Sequence, residues 1–497
     1  MNAPNEGHDA RICVTLVGAT VDENHAFAAR AKERGASMVE YRLDAMRPDA
    51  IDLEALVKKS PLPAVVTFRL PADGGKRTED EGARIALLKR ALELGAAYVD
   101  IERGRAGELA DAAPGRVIES FHDMDATPAD IAEIAASMAA GPAAVVKIAT
   151  TARGVQDTFV IYDILAKAKK PTVAFCMGAA GSSSRVLSLR FGAAWTYAAL
   201  DDDHEGAPGQ ISIERMFKDF SAPDAHPDAP FYGVIGHPIG HTMSPQMHNA
   251  SLRERGLGGA YVSFDVEGDV PGFVRTVFAL GARGLSVTIP HKLAVMEAVD
   301  EVEPAAKRIG AVNTVYMKDG RLLGTNTDFY GAQSAIVNAA GGIAALAGKA
   351  ALVVGAGGAS RAIVFGLRDA GMTVSVSDIV EEKARELAGV AEATFVPHAE
   401  VDVSAYDVIA NASPVGMHPK VDACPIETSG LREGQIVFDA VYNPRETKLL
   451  REAGARGCVT VSGVEMFVGQ GAKQFELFTG QPAPTDVMRS VVLERLG

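Results

Sequence analysis

Over the first ~220 residues, short apolar runs alternate with alanine-rich stretches of helical period. The runs are "RICVTLV", "SMVEYRLD", "PAVVTFR", "AYVDIE", "RVIESFHD", "AAVVKIAT", "PTVAFCMG" and "AAWTYAAL". Their spacing is roughly 20 to 35 residues, the length of one strand–helix unit. Eight such units predict a (β/α)8 TIM barrel. A doubly wound sheet also alternates, but eight strands without a glycine-rich phosphate loop favour the barrel. One strand, "AAVVKIAT", carries Lys147 in its middle. Burying an ammonium costs several kcal/mol unless it is paired or neutralised.

The pattern then breaks at "SAPDAHPDAP", Ser221 to Pro230, whose three prolines and small and acidic residues read as a linker. A second αβ region runs from "FYGVIGHPIGHTMSPQMHN" to about residue 333. A third begins at "AALVVGAGGASRA", a strand entering a glycine-rich turn and a helix. The strands "TVSVSD", "DVIANAS" and "QIVFDAVY" follow, as in a Rossmann-type sheet. The expected division is a barrel over 1–222, a linker over 223–230 and a substrate lobe over 231–333. A nucleotide lobe follows over 334–474, and 475–497 return to complete the substrate lobe.

With 497 residues, the chain is too long for one core, which agrees with several domains. A net charge of −14 argues against a nucleic-acid partner, although local arginines still admit small anionic substrates. The cysteines Cys13, Cys176, Cys424 and Cys458 are far apart and show no metal spacing, so reduced thiols and no metal are expected. The N-terminus is polar, and no stretch approaches ~18 uninterrupted apolar residues. No membrane span is expected, and a reducing cytoplasm is the expected compartment. Oligomeric state is left open.

Functional residues of a barrel sit at the C-terminal ends of its strands. Polar residues gather there: Glu40, Arg42 and Asp44; Arg69; His122 and Asp123; Lys147; then Arg185 and Gln210 after the last two strands. Any one of them alone is as readily a solvated strand end. Glu40 and Asp44 fit a role in orienting a neighbouring arginine. A lysine in low dielectric is available as a neutral amine, which forms a Schiff base with a ketone. A histidine then takes the acidified proton, and arginines bind carboxylate. The residues therefore suggest a Schiff-base lyase or aldolase acting on a keto acid.

Over essentially its whole length this half resembles type I 3-dehydroquinate dehydratase, on "VEYRLD", "TFRLPADGG", "SFHD", "VVKIA", "GSSSRV" and "APGQ". The resemblance implies an imine between Lys147 and the C3 ketone of 3-dehydroquinate. It implies that His122 moves the C2 proton, and that Glu40, Arg42, Arg69, Arg185 and Gln210 bind substrate. Two positions depart from the family. Asp73 stands where relatives carry a glutamate that supports the histidine. Gly206 stands four residues before the glutamine, where relatives tend to carry a hydroxyl.

In the second half "GLSVTIPHK" delivers Lys292 and "GTNTDFYG" delivers Asp328. Alone, these are an ordinary loop charge and a helix cap. The turn "VVGAGGASRA" after an apolar strand points to a dinucleotide, beside which a Lys–Asp pair makes a proton relay. This half resembles shikimate dehydrogenase over nearly its full length, on "YGVIGHPIGHTMSPQMHN", "AVNTV", "NASPVGM", "FDAVYNP" and "GVEMFVGQGAKQFELFTG" as well. The resemblance implies Lys292 and Asp328 as the catalytic pair. It implies Thr242, Ser244, Thr288, Asn313, Tyr442 and Gln470 on the substrate. Gly355, Gly357, Gly358, Ala359, Ser360, Arg361 and Met466 fall on the cofactor. Thr242 replaces the first of two serines usual in that motif.

The resemblance implies NADP(H), yet Asp378, Ile379 and Val380 occupy the places of the family's Asn-Arg-Thr. An acidic residue at a strand end ~20 residues past the glycine turn suits a free ribose 2′-hydroxyl and repels a 2′-phosphate. NAD(H) is therefore the favoured cofactor on this reading, with Asp378 as a helix cap the plainer alternative. Together the halves imply 3-dehydroquinate, 3-dehydroshikimate and shikimate as successive ligands of a bifunctional enzyme. An oxidative quinate or shikimate dehydrogenase and a non-catalytic metabolite sensor are the alternatives, the sensor opposed by the presence of both lysines.

Overall fold

A computed structural model describes residues 11–111, 113–240 and 242–496. The polar N-terminal decapeptide and His241 lie outside the described residues. Contacts group the chain into two compact units: 1–233 with 238–240 and 257–268, and 234–237 with 241–256 and 269–497.

In the first unit the barrel strands are β1 (Ile12–Leu16), β2 (Met38–Arg42), β3 (Ala64–Thr67), β4 (Tyr98–Glu102), β5 (Val117–Asp123), β6 (Val145–Thr151), β7 (Thr172–Met177) and β8 (Thr196–Ala199). They pair in the order β7-β6-β5-β4-β3-β2-β1-β8, each neighbouring pair parallel. At the remaining seam the Ala194 N–H, just before β8, donates to the Thr172 carbonyl of β7 at 2.8 Å. All eight fall on the predicted apolar runs. Strands covered on both faces read as continuous apolar text, which is why they stand out in the sequence. Intervening helices cover the outside. Helix Glu81–Glu93, for example, starts where the Asp80 side chain accepts from the Ala83 N–H, and it buries Ile85, Leu88 and Leu92.

Register then sets the interior. Ser120 of β5 lies beside Lys147 of β6, and His122 beside Ala149. Alternate residues share a face, so Ser120, His122 and Lys147 point to the same side.

The stretch 221–230 is not the free tether its prolines suggest. Ala222, Ala225 and Ala229 are buried, Ala222–Asp224 form a 3-10 turn, and the Asp224 carbonyl accepts from the Gly259 N–H at 3.1 Å. The alanines between the prolines supply an apolar side that composition alone does not reveal.

The second unit holds a mixed and a parallel sheet. In the mixed sheet Ala282–Val287, Thr314–Lys318 and Arg321–Thr325 run antiparallel, with Glu301–Val302 parallel to the last. The parallel sheet orders its strands 394–395, 373–377, 350–354, 408–411, 436–439 and 459–461. Its order reverses between Ala350–Val354 and Val408–Asn411, the switch point where ligands of such sheets bind. Helix Gly463–Thr479 then returns to the mixed sheet, where Gln474 Nε2 donates to Thr314 Oγ1 at 3.0 Å. No described helix is long and apolar enough to cross a membrane.

Gly331 lets helix Thr327–Ala339 approach helix Gly463–Thr479 closely. A Cβ there would lie 2.5 Å from the Met466 carbonyl oxygen and 2.8 Å from the Gln470 nitrogen, backbone atoms that cannot swing aside. Gly331→Ala is expected to destabilise the second unit by about 1–3 kcal/mol in denaturant unfolding. An unchanged midpoint contradicts this account of the helix pair.

Candidate active sites

Lys147 is almost wholly buried on β6, and it is not held as an isolated amine in an apolar setting. Its Nζ donates to Asp100 Oδ2 at 2.9 Å and to Glu40 Oε1 at 3.3 Å. Both carboxylates lie within hydrogen-bond reach of the buried side chain, a pairing that the apolar text of the strand does not show. Asp100, on β4, also accepts from Arg69 Nη2 at 2.7 Å and Ser120 Oγ at 2.6 Å. Burial raises its carboxyl pKa, but Arg69, Lys147 and His122 outweigh this and hold it below the usual range. Glu40 accepts from Thr15 and Thr67 as well. Of the two carboxylates expected to orient an arginine, Asp44 does so directly, gripping Arg42 through two bonds of 2.9 and 2.8 Å.

The same pocket holds His122, Arg185, Gln210, Asp73 and Gly206. Burial, then Arg69 and Lys147, hold the imidazole well below its usual value, so His122 is a neutral base at neutral pH. Its Nδ1 has no hydrogen-bond partner, and no bond joins it to Asp73, which sits on the turn Pro71–Asp73. The expected carboxylate support of His122 is thus not made in this structure. Arg185 is fully buried over the Phe175 ring. It donates from Nη2 to the Pro208 carbonyl at 3.2 Å, while Nε and Nη1 have no partner. Burial lowers its pKa to about 10. Arg69, by contrast, donates from Nη1 to Glu102 and Ser120 and from Nη2 to Asp100. Gln210 accepts from the Gly206 N–H at 2.8 Å and donates to Thr15 Oγ1 at 3.1 Å. A Cβ at Gly206 would lie 2.5 Å from Thr15 Cγ2, so glycine is what lets the backbone settle there.

In the second unit Lys292 Nζ and Asp328 Oδ2 are 2.5 Å apart. Asp328 stands in the first turn of helix Thr327–Ala339, where the helix dipole favours a carboxylate. Asn313 holds that turn, its Oδ1 accepting from the Thr327 N–H at 2.7 Å. Thr242 Oγ1 donates to Ser244 Oγ at 3.1 Å at the start of helix Ser244–Glu254. Tyr442 stacks on Phe467, and Gln470 Nε2 donates to the Phe467 carbonyl. Thr288 follows strand Ala282–Val287, its N–H donating to the Ile235 carbonyl.

Lys292 also lines a cleft of about 720 Å³ with Gly355, Gly357, Gly358, Arg361, Asp378 and Lys383. The turn fits a dinucleotide. Gly355 has φ +110, and a Cβ there would crowd the Ser413 nitrogen at 2.9 Å. Gly357 and Gly358 face open space at the start of helix Gly358–Asp369, an anion-binding end. Ala359 is the next residue of that turn. Ser360 is buried and accepts from the Gly357 N–H, and Met466 lies in the core, so neither lines the cleft. Asp378 accepts from the Ala356 N–H at 2.7 Å and the Val380 N–H at 2.8 Å. It ties the glycine turn to its own strand end rather than capping the following helix.

Comparison with known proteins separates two regions. The type I 3-dehydroquinase family matches residues 12–221. The shikimate dehydrogenase substrate-binding domain matches 234–315, and the shikimate 5′-dehydrogenase C-terminal domain matches 463–493. One relative spans both: the chloroplastic bifunctional 3-dehydroquinate dehydratase/shikimate dehydrogenase of Arabidopsis thaliana. It is 38% identical over 96% of this chain and 83% of its own. The chain belongs to this bifunctional family. Among solved structures, a shikimate dehydrogenase in complex with NADP+ is 37% identical, covering 54% of this chain and 96% of its own at TM-score 0.51. A quinate dehydrogenase from Corynebacterium glutamicum in complex with NAD is 31% identical, covering 54% and 99%, also at TM-score 0.51.

Sequence reasoning missed two charged groups in these sites. Asp100 was visible in "AYVDIE" as a carboxylate inside an apolar strand, the same oddity as Lys147. Lys383 lay in "VEEKA", where its helical neighbours made it look like a solvated charge.

Asp100 is the charge that compensates both Arg69 and Lys147. Asp100→Asn is expected to cost about 3–5 kcal/mol of barrel stability at neutral pH. A carboxylate with a depressed folded pKa contributes stability above its unfolded value of 3.8, and loses it as pH falls through the folded one. The difference from the unaltered protein should therefore persist down to about pH 4 and shrink only below it. Equal unfolding midpoints at pH 7 contradict the assignment.

Proposed function

We propose that the barrel dehydrates 3-dehydroquinate to 3-dehydroshikimate and that the second unit reduces this to shikimate with a nicotinamide cofactor. Family membership over 96% of the chain carries the pairing of activities. One observation carries the barrel chemistry: a buried lysine, a neutral histidine and a buried guanidinium with two unpartnered nitrogens share one pocket.

On this reading the Lys147 amine adds to the C3 ketone, and water leaves to give an iminium. His122 takes the C2 proton that the iminium acidifies, then returns a proton to the hydroxyl leaving from C1. The unpartnered Nε and Nη1 of Arg185 leave charge-assisted donors in the pocket for the substrate carboxylate. Arg42, already steadied by Asp44, lies at the same mouth. Arg69 acts one step back, by holding Asp100.

In the second unit a bound nicotinamide supplies the hydride. Lys292 gives a proton to the carbonyl oxygen as it becomes a hydroxyl, and Asp328 orients the ammonium and restores its charge balance. Thr242, Ser244 and Asn313 are the polar groups set to hold the substrate's carboxylate and hydroxyls.

The finer cofactor reading is that NAD(H) is used well. Asp378 presents a carboxylate in the cleft, and Ile379 beside it is largely exposed and uncharged. Lys383 and Arg361 are the opposing cations, but Arg361 donates to the Ile309 carbonyl and pairs loosely with Glu386.

Purified full-length protein given 3-dehydroquinate with NADH or NADPH tests both units at once. Shikimate is the expected product, with kcat/KM for NADH at least equal to that for NADPH. A large NADPH preference sinks the cofactor reading, and no shikimate with either cofactor sinks the function.

A further inference from the structure

The barrel interior beside the reactive lysine is aromatic. Tyr197 of β8 is buried, and Lys147 Nζ lies 4.3 Å from the centre of its ring. Phe175 of β7 packs against Tyr197 with ring centres 6.1 Å apart, and Arg185 lies 4.5 Å from the centre of the Phe175 ring. One wall of the pocket thus offers two π faces to two of its cations, Lys147 and Arg185.

Condensation changes what Lys147 can bond. An ammonium, R–NH3+, reacts with a ketone to give R–NH+=C and one water, so two N–H hydrogens leave with the ketone oxygen. Three donors become one. In the free protein both Asp100 and Glu40 accept from Nζ. Afterwards a single N–H faces two carboxylates. Attraction to a π face requires no N–H and is strongest away from water. The ring is therefore the contact that persists in kind when the charge passes from ammonium to iminium.

We propose that the ring face of Tyr197 is a catalytic group of the dehydratase, stabilising the positive charge of the Lys147 iminium. The inference rests on the reading of Lys147 as the imine-forming amine. The other titratable groups around the pair are Cys13, Glu40, Arg69, Asp100 and His122, from β1, β2, the end of β3, β4 and β5. Burial, then Glu40, push the Tyr197 phenol well above its usual value, and burial does the same to the Cys13 thiol. Both stay neutral across the neutral range, so a shift in the iminium's titration reports the ring.

The test traps the imine with borohydride in full-length protein exposed to 3-dehydroquinate, with the adduct located by mass at Lys147. Tyr197→Phe is the reference, compared with Tyr197→Leu and with a trifluorinated phenylalanine at position 197. Fluorination withdraws charge from the ring face and leaves its shape. The fluorinated and leucine forms should trap about tenfold or more slowly than the phenylalanine form. The pH at which trapping fades on the alkaline side should also fall, because a less stabilised iminium loses its proton earlier. The fluorinated form decides the matter even if the leucine form does not fold. Equal rates and equal titration in the phenylalanine and fluorinated forms overturn the inference while leaving the lysine's role intact. No adduct in the unaltered protein overturns both.

Discussion

Lys147 can sit in the barrel interior because Asp100 and Glu40 stand 2.9 and 3.3 Å from its Nζ. Much of the pocket follows from that contact. Two carboxylates at this depth need cations of their own, and Arg69 answers Asp100 at 2.7 Å. Burial, and then the positive neighbours, keep His122 neutral, which is the state a base requires. Arg185 stays outside the network. Its distance from any strong acidic partner leaves donors for a carboxylate that the protein does not itself supply. A charge cluster that spends stability on burial thus leaves one base and one anion site ready for use.

The second unit solves a similar problem at lower cost. Lys292 and Asp328 form a close pair at the cleft edge, where both side chains keep some contact with water. The aspartate gains from the first turn of its helix, and that turn is fixed by Asn313. Gly331 matters to this chemistry at a distance, because it sets how closely the Asp328 helix lies against the helix that carries Gln470.

Much of this was legible in the sequence. The eight barrel strands announce themselves because parallel strands covered on both faces are apolar throughout. Lys147 stands out because it breaks that rule. The glycine turn and switch point of the nucleotide lobe follow from local backbone needs that leave a local signature. What stayed hidden was partnership. Arg69 and Asp100, or Lys147 and Glu40, meet only through strand register, so no spacing along the chain pairs them. That is why Arg69 could be read from the sequence as a substrate ligand, while its bond to Asp100 could not. It is also why Asp73, immediately before Gly74 and Gly75, was credited with a bond to His122 that the turn does not make. Ser360 and Met466 fall on matching motif positions, yet Ser360 is buried holding the Gly357 N–H and Met466 packs in the hydrophobic core. The alanines of 221–230 hid a packed connector behind a tether's composition.

The central claim is that one chain carries two separable chemistries, each built on its own lysine. The most direct measurement compares Lys147→Met and Lys292→Met in full-length protein, following shikimate from 3-dehydroquinate and, separately, from 3-dehydroshikimate with reduced cofactor. The account predicts that Lys147→Met abolishes the first and spares the second, while Lys292→Met collapses both yet still lets 3-dehydroshikimate accumulate from 3-dehydroquinate. Shikimate formed from 3-dehydroquinate by the Lys147→Met protein at an undiminished rate would contradict it.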